Sequence, residues 1–317
     1  MFLTIAEAAE ILDHGGIVGM PTETVYGLAA NALSPLAVAK IFEAKKRPWF
    51  DPLIVHIPSV EQLAQVVEEI PPNAQKLADA FWPGPLTLVL RKRALIPDLV
   101  TSGMPSVAVR VPAHPVAQEL LRLCKFPIAA PSANLFGKVS PTTAQAVLNQ
   151  LEERIDGVVE GGACSVGVES TIIDCTGQQF RMLRPGGISR EAIEAIIGPL
   201  AKLTTPVNEN KAMPAPGTCK RHYSPDTPLE ISSAQKPQSQ ERVGLIAFGS
   251  PKESREGFAR IINLSETGDL REAATKLYAA LRELDAAQLD RLVVESIPTN
   301  GLGLAINDRL KRAAAQG

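Results

Sequence analysis

One stretch of this chain limits what it can fold into more than any other. Residues 198–241 are polar and rich in Pro, Ser, Gln, Lys and Asn, between two segments of ordinary apolar patterning. Such a composition is typical of an interdomain linker. The chain has 317 residues, and domains usually hold roughly 100 to 200 residues. We therefore expect a first domain at 1–200, a linker at 201–241 and a second domain at 242–317.

Short apolar runs in the first segment are separated by helical patterns at irregular intervals. Thr4 with Glu7 predicts a capping box at a helix start, Ser59 with Gln62 predicts a second one, and Gly15 ends the first helix. Strands and helices do not alternate regularly here. The pattern therefore favours an α/β domain with a mixed, twisted sheet over a doubly wound parallel sheet.

The segment after the linker has a simpler pattern. Its order is strand, strand, helix, strand, helix, in residues 243–248, 260–264, 269–284, 291–296 and 305–315. This order predicts a small Rossmann-like α/β domain. The segment contains no G-x-G-x-x-G motif, so a dinucleotide-binding role has no support from the sequence.

Charge, cysteine content and hydropathy exclude several protein classes. The formal net charge is -2, so no overall positive field attracts nucleic acid, and the charge favours a small-molecule site. The four cysteines are scattered without a C-x-x-C pair, which argues against a disulfide framework. The N-terminus is acidic where a signal peptide is basic, and no apolar run approaches the roughly 20 residues of a membrane span. We expect a cytoplasmic protein without membrane contact.

Motifs that would identify common catalytic or metal sites do not occur. The chain has no G-x-x-x-x-G-K-[ST] loop, no G-x-S-x-G elbow and no H-E-x-x-H helix. Cys219 and His222 are closely spaced soft ligands, but a structural zinc ion needs about four. We therefore expect no structural metal ion, and a nucleoside triphosphate would have to bind outside the P-loop scheme.

A basic cluster, Lys45, Lys46 and Arg47, stands at the C-terminus of the helix predicted from residue 35. The chain then returns through a proline-flanked turn into the strand that bears His56. Basic residues at a helix C-terminus commonly complement the helix dipole, and a histidine in an apolar strand is commonly a core residue. The alternative is that these side chains face a ligand, and both interpretations stand at this point.

Short polar side chains and two further arginines lie at other element boundaries. Each serine alone is more simply explained as a turn or cap residue. Together, three or four cations with hydroxyl and amide groups could hold a polyphosphate through charge-assisted hydrogen bonds, without a nucleophilic side chain. These residues are Arg110, Arg184, Ser132, Asn134, Ser140 and Ser170.

A series of motifs extends this pattern over nearly the whole chain. They are P-T-E-T-V-Y-G-L, K-x-R-P with P-L-I-V-H, W-P-G-P-L-T, V-A-V-R-V-P, P-S-A-N-x-x-G-x-x-S-P-T, V-E-S-T-I-I-D, R-P-G and P-G-T-C-K-R-H-Y-S-P. In this order they resemble the YrdC-like family of L-threonylcarbamoyladenylate synthases, in its long form with a C-terminal domain. The resemblance implies a first domain with a large positive cavity and a linker that folds over the active site.

The resemblance also implies a reaction. The family makes threonylcarbamoyl-AMP from L-threonine, bicarbonate or CO2, and ATP with Mg2+, and it releases pyrophosphate. The product is expected to pass to a tRNA threonylcarbamoyl-transferase, as the first step toward N6-threonylcarbamoyladenosine at tRNA position 37. No organic cofactor is implied, and direct contact with tRNA stays an open question.

Matching motifs carry roles over to individual residues. Lys45 and Arg47 are implied as the catalytic cations. The residues implied to contact threonine are Thr24, His56, Arg110, Ala130 and Ser170. The residues implied to contact the nucleotide are Arg47, Asp51, Ser106, Ser132, Asn134, Ser140, Arg184 and Tyr223.

The sequence departs from the family pattern at two positions and leaves two other functions open. The family commonly has Gly and Asn where this chain has Lys46 and Asp51, so Asp51 could help to hold Mg2+ or pair with a basic neighbour. One alternative function is a non-catalytic RNA-binding protein of the same fold, because a positive concave surface also suits an RNA backbone. The other is a different carbamoyl-transfer enzyme, although such enzymes carry zinc-binding cysteine motifs that this sequence lacks.

Overall fold

A computed structural model describes residues 1–201, 213, 215–217, 221–231, 237, 241–251 and 255–315. Cys219, one of the two soft ligands considered above, lies outside the described residues. Among the helices of the described ranges, none is both long and apolar enough to cross a membrane.

The first domain is built on one mixed sheet. Its strands within the described residues are β1 Phe2–Leu3, β2 Val18–Met20, β3 Gly27–Asn31, β4 Ile54–His56, β5 Leu86–Arg91, β6 Ser106–Arg110, β7 Ile128–Ala129, β8 Gly157–Val159, β9 Thr171–Asp174 and β10 Arg181–Arg184. Across the sheet the order is β1-β8-β2-β3-β7-β4-β6-β5-β9-β10. The pair β4 and β6 is parallel, whereas β5 and β6 are antiparallel. The predicted mixed sheet is therefore confirmed.

Helices connect these strands, and two of them test the predicted capping boxes. The helices are α1 Ile5–Asp13, α2 Pro35–Lys45, α3 Leu63–Val66, α4 Pro72–Phe81, α5 Asp98–Thr101, α6 Pro115–Leu123, α7 Ala144–Leu151 and α8 Arg190–Ile197, with 3-10 turns at Val60–Gln62 and Glu152–Arg154. The Thr4 hydroxyl oxygen accepts a hydrogen bond from the Glu7 amide, and the Glu7 carboxylate accepts one from the Thr4 amide, as predicted. The prediction at Ser59 is wrong, because its side chain makes no capping hydrogen bond and a 3-10 turn follows.

The two faces of this sheet are covered differently. In β3, Leu28 packs into the larger core, and its neighbour Ala29 packs into a second core formed with α1 and α6, because successive strand residues point to opposite faces. Farther along the sheet, Ile54 of β4 and Ile172 of β9 pack against Ala215 of the linker. The linker therefore covers the part of this face that lies beside the predicted site residues.

The second domain has a parallel sheet. Its described strands are β11 Leu229–Ile231, β12 Val243–Ala247, β13 Arg260–Asn263 and β14 Arg291–Val294, in the order β11-β14-β12-β13, with α9 Leu270–Asp285 and α10 Gly303–Ala313. The predicted small α/β domain is confirmed. Strand β11 lies within residues 201–241, which the sequence assigned to the linker, yet it pairs with β14. The domain limits themselves stay predictions.

Candidate active site

A cavity opens at the end of β4 and β6 and extends under the linker. Two groups of predicted residues line it. We call Thr24, His56, Arg110, Ala130 and Ser170 the threonine side, and all of them face the cavity. The residues predicted to contact the nucleotide form what we call the nucleotide side. Those of them that line the same cavity are Arg47, Ser132, Arg184 and Tyr223.

The threonine side is organised by the parallel pairing of β4 and β6, which places His56 opposite Arg110. Arg110 is buried, and its Nη2 donates to Glu23 Oε1 at 2.6 Å. Its Nη1 donates to Thr24 Oγ1 at 2.8 Å, and its Nε donates to the Gly84 carbonyl at 3.2 Å. A guanidinium has five N–H donors, so these bonds fix its plane and leave capacity for a carboxylate.

His56 is a neutral polar group in this wall. Burial, with the nearby charge of Arg110, lowers the pKa of His56 to about 3. Its Nδ1 has no hydrogen-bond partner among the described residues. Thr24 Oγ1 lies 2.8 Å from Thr22 Oγ1, and the Ala130 amide already donates to a neighbouring strand. The wall therefore offers an imidazole and hydroxyl groups beside one guanidinium, which suits a small amino acid.

On the nucleotide side, Arg47 reaches the cavity because Lys46 ends α2 in the left-handed conformation with φ 52° and turns the chain back. Arg47 Nε donates to the Asp51 carbonyl at 3.0 Å, and Nη2 donates to the Pro52 carbonyl at 2.8 Å. Nη2 also lies 2.9 Å from Asp51 Oδ2, an ion-pair distance between two buried groups. Asp51 thus pairs with a basic neighbour, one of the two roles considered above.

Arg184 lies at the end of β10 and connects three parts of the site. Its Nε and Nη2 donate to the Ser170 carbonyl at 3.2 and 3.0 Å, and Nη1 donates to the carbonyl of Pro216 in the linker. Ser170 Oγ lies 2.7 Å from Thr87 Oγ1. A Cβ at Gly186, in the R-P-G motif, would overlap the backbone of Ser170, so glycine is needed for this close approach.

Several predicted residues do not line the main cavity. Lys45 is buried, and its Nζ donates to the carbonyls of Ser132 and Asn134 at 2.5 Å each, so it supports their loop instead. Burial lowers the pKa of Lys45 well below its ordinary value. Asn134 donates to backbone carbonyls of that same loop. Ser140 Oγ donates to Glu169 Oε1 at 2.7 Å.

Ser106 lies in a second, smaller cavity. Ala215 of the linker lines this cavity, and Pro216 lines both cavities. The structure therefore does not bring Ser106 together with Arg184 and Arg47. The linker segment 215–217 lies between them.

Tyr223 approaches the cavity from the linker. It has a left-handed backbone with φ 62°, and its ring stacks on Tyr278 of α9 with 5.8 Å between centroids. Arg309 of α10 lies over the same ring at 5.1 Å. Burial raises the pKa of Tyr223 to about 12, and its hydroxyl has no hydrogen-bond partner in the described part of the chain. The neighbouring ring of His222 also lines the cavity.

Sequence reasoning missed Glu169 as a site residue. It lines the cavity and accepts hydrogen bonds from Tyr278 at 2.8 Å and from Arg309 Nε at 2.7 Å. Burial would raise the pKa of Glu169, but the charges of Arg309 and Arg184 and the Ser140 hydrogen bond outweigh it and lower the pKa to about 2. An acidic residue directly before Ser170 in V-E-S-T was the available signal.

The described side chains offer few ligands for a metal ion. Among the described residues, no group of three or more His, Cys, Asp or Glu side chains could hold one. Asp51, the carboxylate considered for Mg2+, is ion-paired with Arg47 and does not line the cavity. The residues described therefore do not form a protein ligand set for Mg2+.

Two family models match this chain. One, described as Telomere recombination, matches residues 10–186. The other, described as Threonylcarbamoyl-AMP synthase, C-terminal domain, matches residues 188–315. Together they span both sheets and the cavity between the first domain and the linker.

Full-length relatives agree with these models. The threonylcarbamoyl-AMP synthase of Bacillus subtilis (strain 168) is 43% identical and covers 98% of this chain and 92% of its own length. The synthase of Pyrococcus abyssi (strain GE5 / Orsay) is 42% identical over 97% of this chain and 93% of its own. The crystal structure of P. abyssi Sua5 complexed with L-threonine has a TM-score of 0.89 at 41% identity, covering 98% of this chain and 94% of that one. The chain belongs to the two-domain threonylcarbamoyl-AMP synthase family.

Proposed function

We propose that this protein makes L-threonylcarbamoyl-AMP from L-threonine, bicarbonate or CO2, and ATP, with release of pyrophosphate, for the threonylcarbamoyladenosine modification of tRNA. One observation carries the proposal. A single cavity joins a wall suited to an amino acid, with Arg110 and neutral His56, to two arginines suited to phosphates, Arg47 and Arg184. The complex of the P. abyssi relative with L-threonine supports the amino-acid assignment.

Threonine would bind through its carboxylate and amine. The guanidinium of Arg110, held by Glu23 and Thr24, pairs with the carboxylate. His56 has a pKa of about 3, so it is a weak base at neutral pH. We assign it a hydrogen bond to the substrate and not removal of a proton.

The proposed chemistry has two steps. The free amine of threonine adds to the carbon of CO2 and loses a proton to solvent, which gives a carbamate. A carbamate oxygen then attacks the α-phosphorus of ATP in line, and the bond from that phosphorus to the pyrophosphate oxygen breaks. No covalent enzyme intermediate is needed, since positioning and charge stabilisation account for catalysis of this kind.

The cations of the nucleotide side would neutralise the transferring phosphates. Arg47 and Arg184 are both buried, and backbone carbonyls fix their planes. Lys45 is a catalytic residue in the family resemblance, and its contacts support a positioning role for the Ser132–Asn134 loop. Mg2+ would enter with ATP, held by phosphate oxygens and water as is usual for this ion.

The product is a mixed anhydride, which reacts readily with water and amines. We therefore propose that it is handed to a tRNA threonylcarbamoyl-transferase in the cytoplasm. The RNA-binding alternative gives no role to the buried threonine side, and it is tested by the same experiment.

The test is pyrophosphate release from purified protein with MgATP, bicarbonate and threonine. Release should require threonine, and Arg47→Ala should reduce it roughly 100-fold or more because a phosphate-binding charge is lost. Arg154→Ala, at an exposed arginine on a 3-10 turn, is the matched control. Release without threonine would refute the reaction, and full activity of Arg47→Ala would refute the phosphate assignment. Salt-sensitive RNA binding without turnover would favour the alternative.

A further inference from the structure

One carboxylate of the cavity wall receives two hydrogen bonds from the second domain. Glu169 lines the cavity, and two side chains of the second domain converge on it. Arg309 Nε of α10 donates to Glu169 Oε2 at 2.7 Å, and the Tyr278 hydroxyl of α9 donates at 2.8 Å. Ser140 of the first domain completes the set at 2.7 Å. The two domains thus share a buried polar cluster at the edge of the proposed nucleotide site.

Arg309 is fully buried, which is unusual for an arginine on a surface helix of a small domain. Its Nη1 pairs with Asp308 Oδ2 at 2.7 Å, and its guanidinium lies over the ring of Tyr223 at 5.1 Å. It therefore touches both the carboxylate of the wall and the tyrosine that the linker contributes. Burying a charge is costly unless it is paired, so this arrangement depends on Glu169.

The negative charge of Glu169 would weaken nucleotide binding if it were not compensated. A carboxylate in the wall of a cavity that binds polyphosphate repels the ligand, and the low dielectric of the interior strengthens that repulsion. The charge of Arg309 compensates the carboxylate from the side away from the ligand. Without Arg309, the positive charge of Arg184 would be shared between Glu169 and the phosphates.

We propose that Arg309, together with Tyr278, is a positioning residue for ATP: it neutralises Glu169, the carboxylate that also accepts the Ser140 hydrogen bond, so the second domain completes the nucleotide side. This inference rests on the proposed function of the cavity. It assigns the C-terminal domain a part in substrate binding, exerted through Glu169 of the cavity wall.

The groups that hold Arg110, the proposed partner of the threonine carboxylate, are separate from this cluster. Arg110 and Thr24, on the threonine side, are held by Glu23 and by each other, all within the first domain. Loss of Arg309 should therefore weaken ATP binding and leave threonine binding unchanged. A variant that was merely less folded would lose binding sites for both ligands in equal proportion.

The experiment measures dissociation constants for MgATP and for threonine, each by calorimetry on the full chain. Arg309→Met should weaken MgATP binding roughly ten- to hundredfold, as expected for one uncompensated charge near a polyphosphate, with threonine affinity within about twofold. Arg309→Met combined with Glu169→Gln removes both charges and should restore MgATP affinity to within about threefold of the unsubstituted protein. Arg271→Met, at an exposed arginine of α9, is the matched control.

Unchanged MgATP affinity in Arg309→Met, or a double variant no better than the single one, would overturn the proposal. Tyr278→Phe decides the matter if Arg309→Met does not fold. It keeps the ring stacked on Tyr223 and removes only the hydrogen bonds to Glu169, and we expect MgATP binding roughly 5- to 20-fold weaker. An unaltered MgATP affinity in Tyr278→Phe contradicts the proposal. These binding constants are separate from pyrophosphate release, so failure of the proposed reaction would be seen independently.

Discussion

Replacing Glu169 with Gln should lower the stability of the protein at neutral pH and have little effect in acid. The ordinary pKa of the glutamate is 4.5, and in the folded protein it is about 2. Burial alone would raise it, but Arg309, Arg184 and the Ser140 hydrogen bond together lower it. The difference of roughly 2.5 pH units corresponds to about 3 kcal/mol of unfolding free energy.

The sign follows from the direction of the change. A carboxyl group whose pKa is lower in the folded state stabilises that state fully above its unfolded pKa. For Glu169 this contribution is complete above about pH 5 and is lost as the pH falls from 4.5 toward 2. Its side chain is only 6% exposed, so solvent screening reduces the effect little. Gln cannot titrate, so its stability deficit should be largest at pH 7 and small near pH 2.

The assay is urea unfolding at several pH values between 7 and 2.5, followed by tryptophan fluorescence. Other carboxylates titrate equally in both proteins and cancel in the difference between them. Glu119→Gln, at an exposed position of α6, is the control and should show no deficit at any pH. A Glu169→Gln deficit of constant size across the whole range would refute the reasoning, because it would show that the carboxylate charge contributes nothing.

Three further substitutions test the two sides of the cavity. Arg110→Lys keeps the charge but not the planar fork that reaches Glu23 and Thr24, so calorimetry should show threonine binding roughly 10- to 100-fold weaker and MgATP binding unchanged. Asp51→Asn removes the charge that pairs with Arg47, while Arg47 keeps its bonds to two carbonyls; MgATP affinity should rise severalfold, and a fall would contradict the pairing role. Burial raises the pKa of Asp51 above its ordinary value of 3.8, so ionising Asp51 costs more free energy in the folded protein than in the unfolded chain. The unfolding free energy therefore falls as the pH rises above 3.8, and Asp51→Asn should increase it at pH 7. Tyr223→Phe removes a buried hydroxyl without a partner among the described residues. The thermal unfolding temperature should therefore be unchanged or slightly higher, while the KM for ATP rises modestly. A clear loss of stability would count against this reasoning.

Much of the first domain could be predicted because its signals are local. A helix start depends on neighbouring residues and not on distant ones. In α1 the signal is a threonine with a glutamate three residues later, and in α2 it is a proline at the first helical position. Irregular spacing of strands was enough to predict a mixed sheet. The capping box at Ser59 failed because that pattern needs a following α-helical turn, and a 3-10 turn occurs there.

The residues at strand ends could be predicted for a related reason. His56 and Arg110 end two strands, and the ends of adjacent parallel strands meet at one edge of a sheet. The sequence could not show which cation of the basic cluster faces the cavity. That depends on the left-handed conformation of Lys46, which turns Arg47 inward and leaves Lys45 against the Ser132 loop.

Contacts between the domains had no local signal. Arg309 and Glu169 are separated by 140 residues, and an arginine in an amphipathic helix is typical of an exposed position. Strand β11 was missed because it is only three residues long and two of them are exposed, so it has no clear apolar pattern. Tertiary packing determines both features, and single-sequence patterns do not contain it.

The linker separates residues of the nucleotide side from one another but does not separate those of the threonine side. In the proposed function threonine contacts only the threonine side, whose residues line one cavity. A nucleotide that contacts both Arg184 and Ser106 must displace the segment 215–217, because Pro216 accepts a hydrogen bond from Arg184 and lines both cavities. Moving that segment also exposes apolar surface where Ala215 packs on the sheet. ATP affinity should therefore include the free energy of moving the linker, whereas threonine affinity should not.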